Sequence, residues 1–220
     1  MNAIVIMAKA PIPNRVKTRL TPPLKPEEAS LLYHNFLLDK LEQVKSIEAH
    51  RYVAYTPQTS ESFFRSIMPP GFSLISQKGE DLGEKLSNVS NGLFAQGAEK
   101  VVMLDSDTPN LPTDLIREAL SGLDEVDVVL GPCEDGGYYL IGMRSWVQEL
   151  FRGIPWSTAD VAKMTVKKAH ALSLRVLLLE RWYDVDTIID LKRLKRDLGQ
   201  PAENYFFCEN TYRAISSLHI

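Results

Sequence analysis

Lys100-Val101-Val102-Met103-Leu104-Asp105-Ser106-Asp107-Thr108-Pro109-Asn110-Leu111-Pro112 is the stretch on which the reading of this chain turns. An apolar strand runs straight into two acids one residue apart, and a proline, which has no N–H to offer a ladder, then ends it. Open α/β sheets hold their ligands beyond the carboxyl ends of buried strands. A hard cation such as Mg²⁺ is held in such places by one or two carboxylates together with substrate phosphates. Taken alone, the Asp-x-Asp reads equally well as polar capping in a strand-to-helix turn, so the rest of the chain has to decide.

Outward from this stretch, short apolar runs alternate with amphipathic ones. Strands are expected at Ala3–Ala8, Ala49–Tyr55, Phe72–Ser76, Lys100–Asp105, Asp127–Gly131, Tyr138–Gly142 and Ser173–Leu178. The first helix opens on Pro26, Glu27 and Glu28, a proline and two acids suited to a first turn. Tyr33, Phe36, Leu37, Leu41 and Val44 then keep helical spacing. Further helices are expected over Thr59–Met68, from Leu82 to Ala95, after Pro112, over Val161–Leu172 behind a Ser157-to-Asp160 capping box, and from near Asp186. Such βα alternation predicts a mostly parallel sheet covered on both faces, an α/β fold. The runs at 127–131 and 138–142 are too close for a crossover helix, so a local antiparallel or mixed element is expected there. Residues 1–200 read as one domain and 201–220 as a C-terminal appendage. Its apolar run, Asn204 to Cys208, could pack on the body or on another subunit, so the oligomeric state stays open.

Composition narrows the function classes. The 220 residues are 45% hydrophobic and 24% charged, ordinary for a globular protein. A net charge of −3 argues against a dedicated nucleic-acid binder. No apolar run approaches a membrane span, and the N-terminal one is too short for a signal peptide. Two distant cysteines, Cys133 and Cys208, without metal-ligand spacing, suit a reduced, cytoplasmic protein.

Four segments bear chemistry. The first loop, Ala8 to Leu20, carries Lys9, Arg15, Lys17 and Arg19 behind strand one. These cations could converge on a polyphosphate, Lys as a point charge and Arg as a planar fork; the plain alternative is a solvated basic loop. The loop has no glycine, so it is neither a Walker A loop nor a Rossmann fingerprint. In Gln77-Lys78-Gly79-Glu80-Asp81-Leu82-Gly83-Glu84, Gln77 could read a base edge, although turn chemistry with Asp81 as helix N-cap explains the segment as well. Asp135-Gly136-Gly137 leads into a strand and suggests backbone close to a substrate, or simply a hairpin turn. Asp184-Val185-Asp186-Thr187 is a second acidic pair, with Asp186 or Thr187 also suited to capping a helix. His34, His50, His170 and His219 sit on helices, at a strand edge or in the tail, and none presents itself as a catalytic base.

In order along residues 3–198, Ala8-Lys9-Ala10-Pro11, Val16-Lys17-Thr18-Arg19-Leu20, Asp81-Leu82-Gly83-Glu84, Ser106-Asp107-Thr108-Pro109, Asp135-Gly136-Gly137-Tyr138-Tyr139-Leu140-Ile141-Gly142, Pro155-Trp156-Ser157-Thr158 and Asp184-Val185-Asp186-Thr187 resemble the GT-A-type nucleotide-diphospho-sugar transferase superfamily. Within it the resemblance is to a bacterial branch related to molybdenum-cofactor nucleotidyltransferases and 2-phospho-lactate guanylyltransferase. It implies a three-layer α/β/α sandwich around a mixed sheet of about seven strands. A nucleotide would lie over the first half of the sheet and an acceptor over the second. Lys9, Arg15, Lys17 and Arg19 would face the phosphates, with Gln77 and Gly83 near the base. Asp135, Gly136, Gly137, Trp156 and Ser157 would lie on the acceptor side. Asp107 and Asp186, with Asp105 as a third candidate, would hold Mg²⁺ or Mn²⁺. Family members often carry glycine at the positions of Asn14 and Asp105.

The reaction this implies is nucleotidyl transfer from a nucleoside triphosphate to a small phosphorylated or acidic acceptor, with Lys17, Arg19 and Asp107 as its catalytic residues. Glycosyl transfer from a nucleotide-sugar, with Asp135 or Glu134 as base, is the second expectation. A catalytically silent nucleotide-binding module is the third.

Overall fold

A computed structural model describes residues 1–200 and 205–218. Asn204 and His219 therefore lie outside the described residues. Along the chain run β1 (Asn2–Lys9), α1 (Pro26–Lys45), β2 (His50–Thr56), α2 (Glu61–Ile67), β3 (Phe72–Ser76), α3 (Leu82–Ala95), β4 (Lys100–Leu104), α4 (Thr113–Gly122), β5 (Val128–Pro132), β6 (Tyr138–Met143), α5 (Val161–Ala171), β7 (Val176–Leu178), α6 (Ile188–Leu198) and α7 (Glu209–Ser216).

The seven strands form one sheet in the order β3-β2-β1-β4-β6-β5-β7. All neighbours are parallel except β6, which runs antiparallel to β4 and β5. The connection from β5 to β6 is a short turn, which permits only an antiparallel return. This is the mixed α/β sheet the spacing predicted.

Strand β1 is apolar on both faces because both are covered. Ile4, Ile6 and Ala8 belong to one core, packed with residues of α1, α4, α6 and α7. Ala3 and Val5 belong to the other, packed with α3 and α5. The two tyrosines of β6 divide in the same way: Tyr139 is fully enclosed, while Tyr138 stacks edge-on against Trp156. The order of strands reverses at β1, which has β2 on one side and β4 on the other. At that switch point the connections diverge and leave a crevice beyond the strand ends.

Several boundaries differ from expectation. β4 ends at Leu104, and Asp105 follows it, its N–H making a last bond to the Tyr139 carbonyl of β6 at 2.9 Å. β7 starts at Val176 rather than Ser173, because the chain turns at Ser173 with φ 58°. A 3₁₀ turn over Gln58–Ser60 precedes α2. The Ser157–Asp160 capping box does not form: Ser157 holds φ 64°, outside the extended region an N-cap needs, and Asp160 itself stands before the helix without a side-chain cap. A true box closes instead at α6, between Thr187 and Asp190.

The C-terminal segment packs on the body. Asp39 of α1 accepts the backbone N–H of Asn210 at 3.1 Å and of Thr211 at 2.7 Å, supplying the cap that the N-cap residue Cys208 does not give α7. Cys208 is fully enclosed, and Phe206 donates its N–H to the Asn110 carbonyl. Both cysteines are buried free thiols. Among the described residues no helix is long and apolar enough to cross a membrane.

Candidate functional site

A cleft of about 350 Å³ opens beyond the ends of β1 and β4, at the switch point. Lys9, Arg15, Lys17, Arg19, Gln77, Asp105, Asp107 and Asp186 all line it, together with Tyr33 and Ser106. Five stretches far apart in sequence therefore meet in one place.

The part of the first loop that carries Lys17 is anchored on either side by core residues, Val16 and Leu20. Between them Lys17 adopts φ 47°, in the left-handed region, and turns its side chain inward. Its ammonium donates to the Val185 carbonyl at 2.8 Å, to Asp186 Oδ1 at 2.9 Å, and to Asp107 Oδ1. An ammonium has three N–H donors, and all three are committed. The Lys17 side chain is 2% exposed, against 41% for Asp107 and 33% for Asp186. Burial alone would lower the lysine pKa, but the two carboxylates outweigh it and hold the ammonium above its ordinary value. Burial would likewise raise Asp186, yet Lys17, then Arg19 and Lys9, hold it below the usual carboxylate range. Arg19 completes the group at 3.3 Å from Asp186 Oδ2.

Asp186 is free for this role because Thr187, not Asp186, caps α6. The backbone brings it in: the N–H of Val185 donates to the Asp107 carbonyl at 2.9 Å. The other cations, Lys9 and Arg15, are exposed. Asn14 holds φ 63°, a conformation glycine adopts freely and asparagine tolerates better than most residues.

The floor is built by residues that sequence reasoning passed over. The Tyr33 hydroxyl lies 2.7 Å from Ser106 Oγ and accepts the Lys9 N–H at 3.1 Å. Lys40, on the buried face of α1, donates to the Thr108 carbonyl at 2.7 Å, and Thr108 Oγ1 donates to Asp105 Oδ1 at 2.6 Å. Burial lowers the pKa of Lys40 and raises that of Asp105, while their mutual attraction opposes both shifts. Asp105 thus faces the Lys40 and Thr108 scaffold, whereas Asp107 faces Lys17. A lysine in the apolar stripe of α1 was the available signal.

Gln77 lines the cleft, but its amide nitrogen is engaged by the Ala54 carbonyl at 2.7 Å and the Ala8 carbonyl at 3.3 Å. Its oxygen is the atom left for a ligand. The remaining candidates lie outside this cleft lining. Gly83 sits against Trp156: a Cβ there would stand 2.5 Å from the indole nitrogen. Gly136 holds φ 95°, and a Cβ would fall 2.0 Å from the Ala159 carbonyl oxygen. Asp135 and Ser157 are exposed. Gly83 and Gly136 thus hold the 155–161 loop close, which accounts for their lack of side chains without a ligand.

The donor set fits a hard divalent cation. Two carboxylates from different elements reach a single ammonium, so one small cation can be shared between them.

Residues 38–158 match the family described as uncharacterized protein conserved in bacteria (DUF2064). No curated protein matches the sequence. Among solved structures, a provisionally named nucleotide-diphospho-sugar transferase from Desulfovibrio desulfuricans G20 is 34% identical, with 98% of this chain and 94% of that one aligned at a TM-score of 0.90. The CMP:2-keto-3-deoxy-manno-octonic acid synthetase complexed with CTP is 15% identical over 88% of this chain and 96% of that one, at a TM-score of 0.58. A 4-diphosphocytidyl-2C-methyl-D-erythritol synthase from Anaerococcus prevotii DSM 20548 is 12% identical over 91% and 99%, at 0.59. The last two likenesses are of fold alone, and that fold is the GT-A type expected.

Proposed function

Because the chain belongs to the DUF2064 family and carries this cleft, we propose that it is a metal-assisted nucleotidyltransferase, moving a nucleotidyl group from a nucleoside triphosphate to a small phosphorylated or acidic acceptor. Kinship with molybdenum-cofactor nucleotidyltransferases and 2-phospho-lactate guanylyltransferase, and a cytoplasmic setting, are part of the same reading. The observation that carries it is the meeting of Asp107 and Asp186 at Lys17, in a cleft rimmed by exposed cations.

Asp107 and Asp186 would hold Mg²⁺ or Mn²⁺, which supplies charge neutralisation at the phosphate oxygens when bound. Arg15, Arg19 and Lys9 bind the polyphosphate from the open side. Lys17 neutralises the two carboxylates, and a phosphate gains its ammonium only by displacing one of its three acceptors. In the transfer itself an acceptor oxygen bonds to the α-phosphorus, and the bond to the bridging oxygen breaks. Pyrophosphate then leaves with the electron pair. An acceptor that is already anionic needs no general base, which suits a cleft without histidine in its lining.

The name of the 34%-identical relative favours glycosyl transfer from a nucleotide-sugar as the second reading. Of its two base candidates, Glu134 is paired with Arg193 at 2.8 Å, which leaves the exposed Asp135.

One assay separates these readings. The purified protein is incubated with each nucleoside triphosphate, Mg²⁺ or Mn²⁺ and a panel of phosphorylated and carboxylate acceptors, with nucleotide-sugars in parallel. Pyrophosphate release that is lost in Asp107→Ala is the expected result. Nucleoside diphosphate release from a nucleotide-sugar, with no pyrophosphate from any acceptor, overturns it in favour of glycosyl transfer. Metal-dependent nucleotide binding without either product leaves the silent module.

A further inference from the structure

Beside the cleft lies a second group of metal-ligating side chains with a different chemistry. One sulfur of Cys133 and one carboxylate oxygen each of Asp135 and Asp184 lie within 4.8 Å of one another. Two chain segments are clamped to bring them together. Cys133 forms a parallel bridge with Trp182. On either side of it Glu134 N–H donates to the Trp182 carbonyl at 2.9 Å, and Trp182 N–H to the Pro132 carbonyl at 3.1 Å. The turn carrying Asp135 is closed by Cys133 N–H donating to the Gly137 carbonyl at 2.9 Å. Asp135 Oδ1 accepts the Gly137 N–H at 2.8 Å, which leaves its other oxygen free of protein partners.

The electrostatics here are the reverse of those at Asp107 and Asp186, where Lys17 is already present. Among the described residues Asp184 and Asp135 have no ion-pair partner, the Cys133 thiol makes no hydrogen bond, and the Asp184 carboxylate meets no donor but its own backbone N–H. Cys133 is 5% exposed, so its sulfur is enclosed and unpartnered against two carboxylates. Asp184 is half-buried and Asp135 exposed, which leaves the group open to solvent on one side.

We propose that Cys133, Asp135 and Asp184 form a second cation site, for a borderline divalent ion of the Zn²⁺ and Co²⁺ type. A thiolate ligand selects such ions over Mg²⁺. Three protein ligands with a fourth position left to water or to an anionic substrate oxygen is the open arrangement Zn²⁺ accepts. Ligands on one such ion stand roughly 3.3–3.7 Å apart, given metal–ligand bonds of about 2.0–2.3 Å. The group closes to that span by movement of Asp135, its exposed member. On binding, the thiol proton passes to water and the sulfur lone pair bonds to the metal, so occupancy falls as the pH is lowered. The site does not rest on the transferase reading; if that reading holds, the second ion lies toward the acceptor half.

Co²⁺ tests it directly. The chelator-treated protein is titrated with Co²⁺ in excess Mg²⁺, and the thiolate-to-cobalt charge-transfer band is followed in the near ultraviolet. A saturable band is expected that survives in Cys208→Ser and Asp107→Asn and vanishes in Cys133→Ser. Asp135→Asn and Asp184→Asn should weaken Co²⁺ by at least roughly tenfold, the scale on which even outer-shell partners act. Asp135→Asn, at an exposed position, keeps the test valid should Cys133→Ser fail to fold. No band in the unaltered protein, an equal band in folded Cys133→Ser, or unchanged affinity in Asp135→Asn overturns the site. A failed pyrophosphate assay would leave the cobalt band untouched, so the two readings fail separately.

Discussion

The ammonium of Lys40, wholly enclosed in α1, donates to the carbonyl oxygen of Thr108 at 2.7 Å and so holds the loop after β4 from inside the core. Its other partners are Thr108 Oγ1 and Gln43 Oε1. Lys40→Met keeps the volume but leaves the buried Gln43 Oε1 without a donor and the Thr108 carbonyl with only the Leu111 N–H, at 3.2 Å. An unsatisfied buried acceptor costs about 1–3 kcal/mol, and that is the expected loss in urea denaturation. Mg²⁺ affinity should fall with it, because Asp107 sits on the loop that loosens. A midpoint unchanged from the parent would remove Lys40 from the scaffold of the site.

Lys17→Met leaves Asp107 and Asp186 facing each other with only the exposed Arg19, at Asp186, as a counter-charge. Fully buried pairs lose about 3–5 kcal/mol when one partner goes. Both acids are partly solvated here, so a loss at or below the lower end of that range is expected. Added Mg²⁺ should restore more stability in the variant than in the parent, since the ammonium no longer competes for the carboxylates. Equal Mg²⁺ effects on the two melting temperatures would argue against a shared cation.

The pH dependence follows from the directions of the shifts. Asp186 is held below its unfolded value of about 3.9, so its contribution is present above that pH and lost as pH falls through the lower folded value. Lys17 is held above its unfolded value of about 10.4, so its contribution is present below that pH and lost only as pH rises past the higher folded value. Between those limits the network is intact. Asp186→Asn should therefore flatten the acid limb of stability and leave the slope between pH 6 and 8 unchanged, read from urea midpoints across the range.

The two glycines of the pair before β6 should respond differently. Gly136→Ala meets both a left-handed φ and the Ala159 backbone, and a loss of about 1–3 kcal/mol or more is expected. Gly137→Ala meets only the Asp135 carboxylate at 3.1 Å, a side chain able to shift, and should lie within about 0.5 kcal/mol of the parent. Similar losses in thermal denaturation would mean that the turn, rather than the 155–161 loop, sets the requirement.

Where a pattern is local, the sequence was readable. Alternation placed all seven strands, and the short spacing before Tyr138 exposed the antiparallel pair. The meeting of the first loop with Asp107 and Asp186 was implied by the family resemblance, which set the basic loop at the phosphates and the two acids at one ion. What Lys17 does there was not, since two of its three partners lie 168 and 169 residues away. The Ser157 box failed for a related reason. Spacing names the residues of a cap but not the backbone angle, and Ser157 is turned left-handed by the loop that packs on Gly136.

Asp39 and Lys40 stand next to each other in α1 and face opposite duties, one fastening the N-terminus of α7 and the other the loop of Asp107. The chain's closing helix and its reactive edge thus hang from consecutive links of a single rod. Trimming from Cys208 onward removes the partners of Asp39 and should therefore lower stability and loosen the neighbouring hold of Lys40 on the loop of Asp107.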